Sequence, residues 1–253
     1  MTAWEIAGFL ACVAVATCAQ SITGFALALI LLGLTGLFDL APLPDVANVA
    51  TVLSLASAVI ALRGTRKSLD RAIWRTTVTG SIFGYAIGVA LMAWLNANVV
   101  MVLRLLLGVV VIACAVIVLV RTEPLAQRSS PASFRGFGVL SGVLGGLFSA
   151  SGPPLVYQFY RQPMDLEAVR DTLVATLAAG SLVRLLMVVP AGQFSTRSLL
   201  LCLLSLPLAM GITWWMRRHP PAWPRAAVLK VVCALLVVTG VGLIGPAVAA
   251  IWR

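Results

Sequence analysis

The chain has 253 residues, of which 61% are hydrophobic and only 10% charged, and its mean hydropathy is +1.05. That is more apolar surface than a soluble domain can hide, so the composition excludes a soluble enzyme or binding module and implies an integral membrane protein. The net charge of +10 reads as a topology signal and not as a nucleic-acid footprint, because the arginines fall in short connectors and no basic face is interleaved with stacking aromatics.

Apolar length and helix breakers divide the chain into eight runs. The first, Trp4 to Leu37, has no lysine or arginine before it and carries Glu5, so it is expected to stay in place and not to be cleaved as a signal peptide. Its middle is interrupted by Gln20-Ser21-Ile22-Thr23-Gly24-Phe25, which is polar and contains glycine. Val46 to Leu62, Ala72 to Leu95 and Val99 to Val120 follow as three uninterrupted runs. The connector Arg121 to Ser133, with Glu123-Pro124 and Ser129-Ser130-Pro131, is the longest and reads as a linker. The expected organisation is therefore a first repeat over 1–121, a cytoplasmic linker over 122–133 and a second repeat over 134–253.

The fifth run, Phe134 to Tyr160, cannot be one continuous helix. Pro153 and Pro154 lack amide hydrogens, Pro153 biases Gly152 away from helical dihedrals, and Gly152 is the residue best able to take a sharp turn. The helix is predicted to stop near Ala150 and a new one to start at Pro153, with Ser151 or Ser149 as N-cap. Ala168 to Val189, Ser198 to Met216 and Ala226 to Ile251 complete the chain. Cys12, Cys18, Cys114, Cys202 and Cys233 lie inside apolar runs without CxxC spacing and read as small packing residues.

The two halves resemble each other in order. Leu103-Arg104-Leu105 matches Leu229-Lys230-Val231, Ala86-Ile87-Gly88 matches Ala209-Met210-Gly211, and Thr23-Gly24-Phe25 matches Ser151-Gly152-Pro153. Charge then tests topology. With all eight runs crossing, the basic connectors Arg63 to Arg75 and Arg217 to Arg225 end on opposite sides, against the positive-inside rule. With the two broken runs re-entrant, Arg63, Arg66, Lys67, Arg71, Arg75, Arg121, Arg128, Arg135, Arg161, Arg170, Arg217, Arg218, Arg225 and Lys230 gather at the cytoplasmic side. Arg104, Arg184, Arg197 and Arg253 are left toward the outside, and both termini are expected in the periplasm. The halves are then inverted, each a re-entrant pair plus three crossings. This all-α arrangement of inverted repeats with discontinuous helices is the hallmark of secondary transporters.

A broken helix leaves free backbone groups at membrane depth, tolerated where they face protein or line a cavity. Two half-helix N-termini aimed at one cavity suit an anion. The candidate substrate-binding residues are Gln20, Ser21, Thr23, Gly24 and Phe25 at the first break, and Ser149, Ser151, Gly152, Pro153, Tyr157 and Gln158 at the second. Arg104, Arg184 and Lys230 either draw anions in or snorkel to an interface, with snorkelling favoured. Gly142, Gly145 and Gly146 read as a small-residue packing face. No carboxylate lies in the middle of a run and the only histidine, His219, is in a basic loop, so no metal site, cofactor or pump-style proton relay is expected.

Thr23-Gly24-Phe25-Ala26-Leu27-Ala28-Leu29, Gly142 to Gly146 and Ser151-Gly152-Pro153-Pro154-Leu155, with the repeat structure, resemble the TauE/SafE family of sulfite and organosulfonate permeases across essentially the whole chain. The resemblance implies a multi-pass permease of the bacterial inner membrane that carries a sulfur-containing anion such as sulfite, a sulfonate or a sulfoacetate-like molecule. An anion channel of the same fold and, more remotely, an intramembrane enzyme or assembly partner are the competing readings; Ser151 has no partner base. The partners expected are a small anion and the lipid bilayer, with a homodimer left open.

Overall fold

The computed structural model describes residues 3–23, 25–62, 69–98, 100–119 and 125–219, together with positions 233, 234, 237, 238, 240, 241 and 244. Among the described residues all regular structure is helical: α1 (Ala3–Thr23), α2 (Leu27–Leu37), α3 (Leu43–Leu62), α4 (Arg71–Asn98), α5 (Val100–Leu119), α6 (Pro131–Phe148), α7 (Gly152–Tyr160), α8 (Leu166–Val188) and α9 (Thr196–Arg218). Of these, α1, α3, α4, α8 and α9 are long and apolar enough to cross a bilayer. The seven predicted runs up to Met216 correspond to these elements with ends shifted by a few residues. Most of the eighth run, Ala226 to Ile251, lies outside the described residues, as do Gly24, Lys230 and the cluster Arg63, Arg66 and Lys67.

Both interruptions are reversals. α7 runs back along α6: Phe134 meets Phe159 edge-on with ring centroids 6.1 Å apart, Phe137 meets Tyr157 at 5.9 Å, and Gln158 Nε2 donates to Ser133 Oγ at 3.1 Å. The turn after α7 closes on the linker, where the Leu125 amide donates to the Arg161 carbonyl at 2.8 Å. α1 and α2 pack on each other in the same way, with Gly8 near the start of α1 facing the Leu40 side chain just past α2.

The hairpins open at opposite ends of the bundle. At one end, the start of α3 meets the start of α9: Asp45 Oδ1 accepts from Ser195 Oγ at 2.5 Å and Ser198 Oγ at 2.8 Å, and Asn48 Nδ2 donates to the Gln193 carbonyl at 2.9 Å. The α1–α2 hairpin opens here, because α2 leads directly into α3. At the other end, the Asp70 amide before α4 donates to Thr172 Oγ1 of α8 at 3.1 Å, and Asp70 pairs with Arg128 of the linker. The α6–α7 hairpin opens at that end. Helices α4, α6 and α8 therefore start together, opposite the starts of α3 and α9.

The register of the second hairpin is fixed by its seam with α4. Gly80, Gly84 and Gly88 recur every fourth residue, as do Gly138, Gly142 and Gly146, so each set lines one helical face. A Cβ on Gly84 would lie 2.2 Å from the Val139 carbonyl oxygen, one on Gly88 2.3 Å from that of Val143, and one on Gly142 2.3 Å from that of Ser81. Numbers rise together along both helices, so α4 and α6 are parallel and touch backbone to backbone, which is how small residues hold helices together where lipid supplies no hydrophobic drive. Gly142 and Gly146 pack against this backbone as the sequence indicates, while Gly145 instead makes room for the Tyr85 ring, 2.6 Å from where its Cβ would be. Gly108 on α5 meets Gly240 in a similar reciprocal contact.

The seam predicts a sharp contrast between two glycines of α6. Gly142→Ala puts a methyl into the Ser81 carbonyl and should lower the thermal unfolding temperature of the detergent-solubilised protein, by a cost of about 1–3 kcal/mol. Gly136→Ala, which has nothing within 4 Å of its Cβ position, should be neutral or raise stability by up to about 1 kcal/mol through helix propensity. Equal effects at the two positions would contradict the seam.

Candidate functional site at the two helix breaks

The second break is built so that its carbonyls are covered. α6 ends at Phe148, and Ser149 takes the left-handed conformation (φ 56°, ψ 19°), with its amide donating to the Gly145 carbonyl at 2.8 Å. This is the single-bond left-handed cap, made by a serine where glycine is usual. The Ala150 amide reaches the Leu144 carbonyl at 3.4 Å, and Ser141 Oγ donates to the Ser151 carbonyl at 2.7 Å. The Gly146 carbonyl accepts from Arg184 Nε at 3.2 Å.

Two expectations about this break need correction. The sharp turn falls on Ser149 and not on Gly152, because the helix unwinds four residues ahead of the prolines. Gly152 begins α7, and its missing side chain serves close approach: a Cβ there would sit 2.6 Å from Phe25 Cβ. Nor does Ser151 cap α7 through its side chain; its backbone is right-handed (φ −75°, ψ −9°), and the Tyr85 hydroxyl engages its side chain instead. Pro153 and Pro154 strip the first turn of α7 of two amide donors, leaving Gly152 as the only N–H among its first three residues.

The contact between Phe25 and Gly152 joins the two breaks. Around the first, α1 ends at Thr23 and α2 begins at Leu27 after Ala26 in a right-handed conformation; Gly24 lies outside the described residues. The hydroxyls of Ser21 and Thr23 donate back to the Thr17 and Ala19 carbonyls at 2.9 and 2.8 Å, so in this arrangement their protons are held by their own helix. Gln20 is half-buried. At the second break Ser149 Oγ lies within hydrogen-bond distance, 3.0 Å, of Thr51 Oγ1 of α3, whose own proton has the Ala47 carbonyl at 2.8 Å as its nearer acceptor. Ser151, Gly152 and Pro153 are buried at the junction. Tyr157 and Gln158 are turned away from it: Tyr157 accepts from Arg161 Nη1 at 2.7 Å beneath the guanidinium, and Gln158 bonds to Ser133.

The snorkelling favoured for Arg184 does not occur. Arg184 is 2% exposed and reaches inward to α3 and α6, donating from Nη1 to Thr51 Oγ1 at 2.7 Å, Asn48 Oδ1 at 3.0 Å and the Ala47 carbonyl at 3.3 Å. Its distance from the end of α8 gave the wrong impression because orientation, not depth, decides. Thr172, Thr176, Gly180 and Arg184 recur every fourth residue on the buried face of α8, a pattern readable in the sequence. Tyr85 and Thr51 carried no such signal; they sit in otherwise apolar or small-residue stretches. Tyr85 is 2% exposed, its ring filling the space left by Gly145 and Gly180. The side chain of Arg104 and all of Lys230 lie outside the described residues. Among the described residues no three His, Cys, Asp or Glu side chains are placed to hold a metal ion.

Comparison with known proteins supplies the family. Residues 9–243 match the family model described as sulfite exporter TauE/SafE. The chain is 33% identical over 231 residues to a protein of Cupriavidus necator named as a probable sulfite/organosulfonate exporter TauE, a similarity that covers 91% of this chain and 90% of that relative. No solved structure matches. A helical bundle with five candidate spans, broken twice inside apolar runs, therefore carries its sequence signature over nearly its full length: the chain belongs to the TauE/SafE family of membrane transporters.

Proposed function

We propose that the chain is a secondary transporter of a small sulfur-containing anion, of the sulfite, sulfonate or sulfoacetate type, that works by alternating access across the bacterial inner membrane. The observation that carries this reading is the meeting of the two hairpin tips, at Phe25 and Gly152, after entry from opposite ends of the bundle. Inverted repeats that meet at broken helices put a substrate site at mid-depth. The division into a repeat over 1–121, a linker over 122–133 and a repeat over 134–253 is supported by reciprocal packing, since α6 lies on α4 and α1 lies on α9. The name of the relative adds the same substrate class and a direction, export.

Orientation follows from charge. Arg71, Arg75, Arg128, Arg135, Arg161 and Arg170 belong to the Asp70 end, whereas Arg197 at the start of α9 belongs to the Asp45 end. By the positive-inside rule the Asp70 end is cytoplasmic, and both termini are periplasmic. In this reading Ser149, Ser151, Gly152 and Pro153 with Gln20, Ser21, Thr23, Gly24 and Phe25 surround the anion. Tyr157 and Gln158 hold the hairpin's return limb.

Two experiments test this. Gly152→Leu should abolish sulfite or sulfonate counterflow in proteoliposomes, by at least about tenfold, while the protein still inserts and purifies, because the side chain must displace Phe25. Retained transport would remove the tip contact from the mechanism, and flux without exchange-dependent acceleration in the unmutated protein would mark a channel. Reporter insertion tests orientation: green fluorescent protein placed after Gln127 should fluoresce and alkaline phosphatase placed after Gly192 should be active, and the opposite pair of outcomes would invert the topology.

A further inference from the structure

Arg184 is a buried cation whose partners among the described residues are all neutral. A guanidinium has five N–H donors. Nε is used by the Gly146 carbonyl and Nη1 by Thr51, Asn48 and Ala47, but Nη2 has only the thioether of Met92, at 3.8 Å. No carboxylate of the described residues is among these partners. Buried charges in proteins are ordinarily paired, since desolvation is costly and a neutral hydrogen-bond shell recovers only part of it. The cation also stands beside the second tip. It caps the Gly146 carbonyl and shares Thr51 with Ser149, and Gly180, one turn before it on α8, makes room for the Tyr85 hydroxyl.

We propose that Arg184 is the charge-recognition residue of the substrate site and that the transported anion is its counterion. The Nη2 edge, with the hydroxyls of Tyr85, Ser149 and Ser151, receives the oxygens of one SO3 head. This rests on the carrier reading and narrows it. The site supplies one full positive charge, so it selects a monoanion such as an alkylsulfonate or hydrogensulfite. A dianion such as sulfate would bring a second buried charge without a partner.

The test is ligand binding by the purified full chain in detergent, measured calorimetrically with methanesulfonate, its neutral isostere methanesulfonamide, and sulfate. The unmutated protein should prefer methanesulfonate over both, by at least about thirtyfold if the buried charge pair is formed. Arg184→Gln should bring methanesulfonate and methanesulfonamide to similar weak affinities, whereas Arg184→Lys should keep the preference for the anion with reduced affinity, because the ammonium lacks the planar fork. A purely structural cap would weaken all ligands together and leave their ratio unchanged, and that result in Arg184→Gln overturns the assignment. Should the Gln variant fail to fold, the Lys variant decides, and methanesulfonate affinity equal to the unmutated protein's overturns it. Absence of any sulfonate binding by the unmutated chain would instead sink the carrier reading itself.

Discussion

A helix that stops inside hydrocarbon exposes carbonyls at one side of the gap and amides at the other, and each group left without a partner costs several kcal/mol. How these groups are met decides the sign of the field at the break. Between Leu144 and Ser151 the carbonyls of Leu144, Gly145, Gly146 and Ser151 are covered, by the Ala150 and Ser149 amides, the Arg184 guanidinium and the Ser141 hydroxyl. The negative pole of α6 is thereby neutralised with a cation to spare. The tandem prolines thin out the amides at the start of α7, so the positive character of the site comes chiefly from Arg184, with the α7 dipole as a smaller contribution.

That arrangement depends on placement to within a fraction of an ångström, which the glycine seam supplies. Because α4 and α6 touch through backbone, α6 cannot slide without breaking several close contacts at once, and Tyr85 is carried on the same α4 face toward Gly145, Gly180 and Ser151. The first hairpin has no comparable seam with α9. The α6–α7 hairpin is packed on α4 through backbone, while α9 carries Pro207 within its length and lacks a matching glycine row.

Much of this was legible in the residues, for identifiable reasons. Proline lacks an amide hydrogen wherever it stands, so Pro153 and Pro154 located the second break, and apolar length located the runs. The residue that takes the left-handed turn was not legible, because it depends on where α6 lets go, and Ser149 is favoured by its bonds to Gly145 and Thr51. The place of Arg184 along the chain suggests snorkelling, whereas its face on α8, shared with Thr172, Thr176 and Gly180, turns it inward. Asn48, Thr51 and Tyr85 join the site only through tertiary packing; nothing local to them marks it.

Alternating access requires a single shared site reached from opposite ends. In a cysteine-free background that still transports, a single cysteine at position 149 should react with membrane-impermeant thiol reagents applied from either side of the membrane, and methanesulfonate should protect it from both. Access from one side only, or labelling indifferent to the sulfonate, would contradict it.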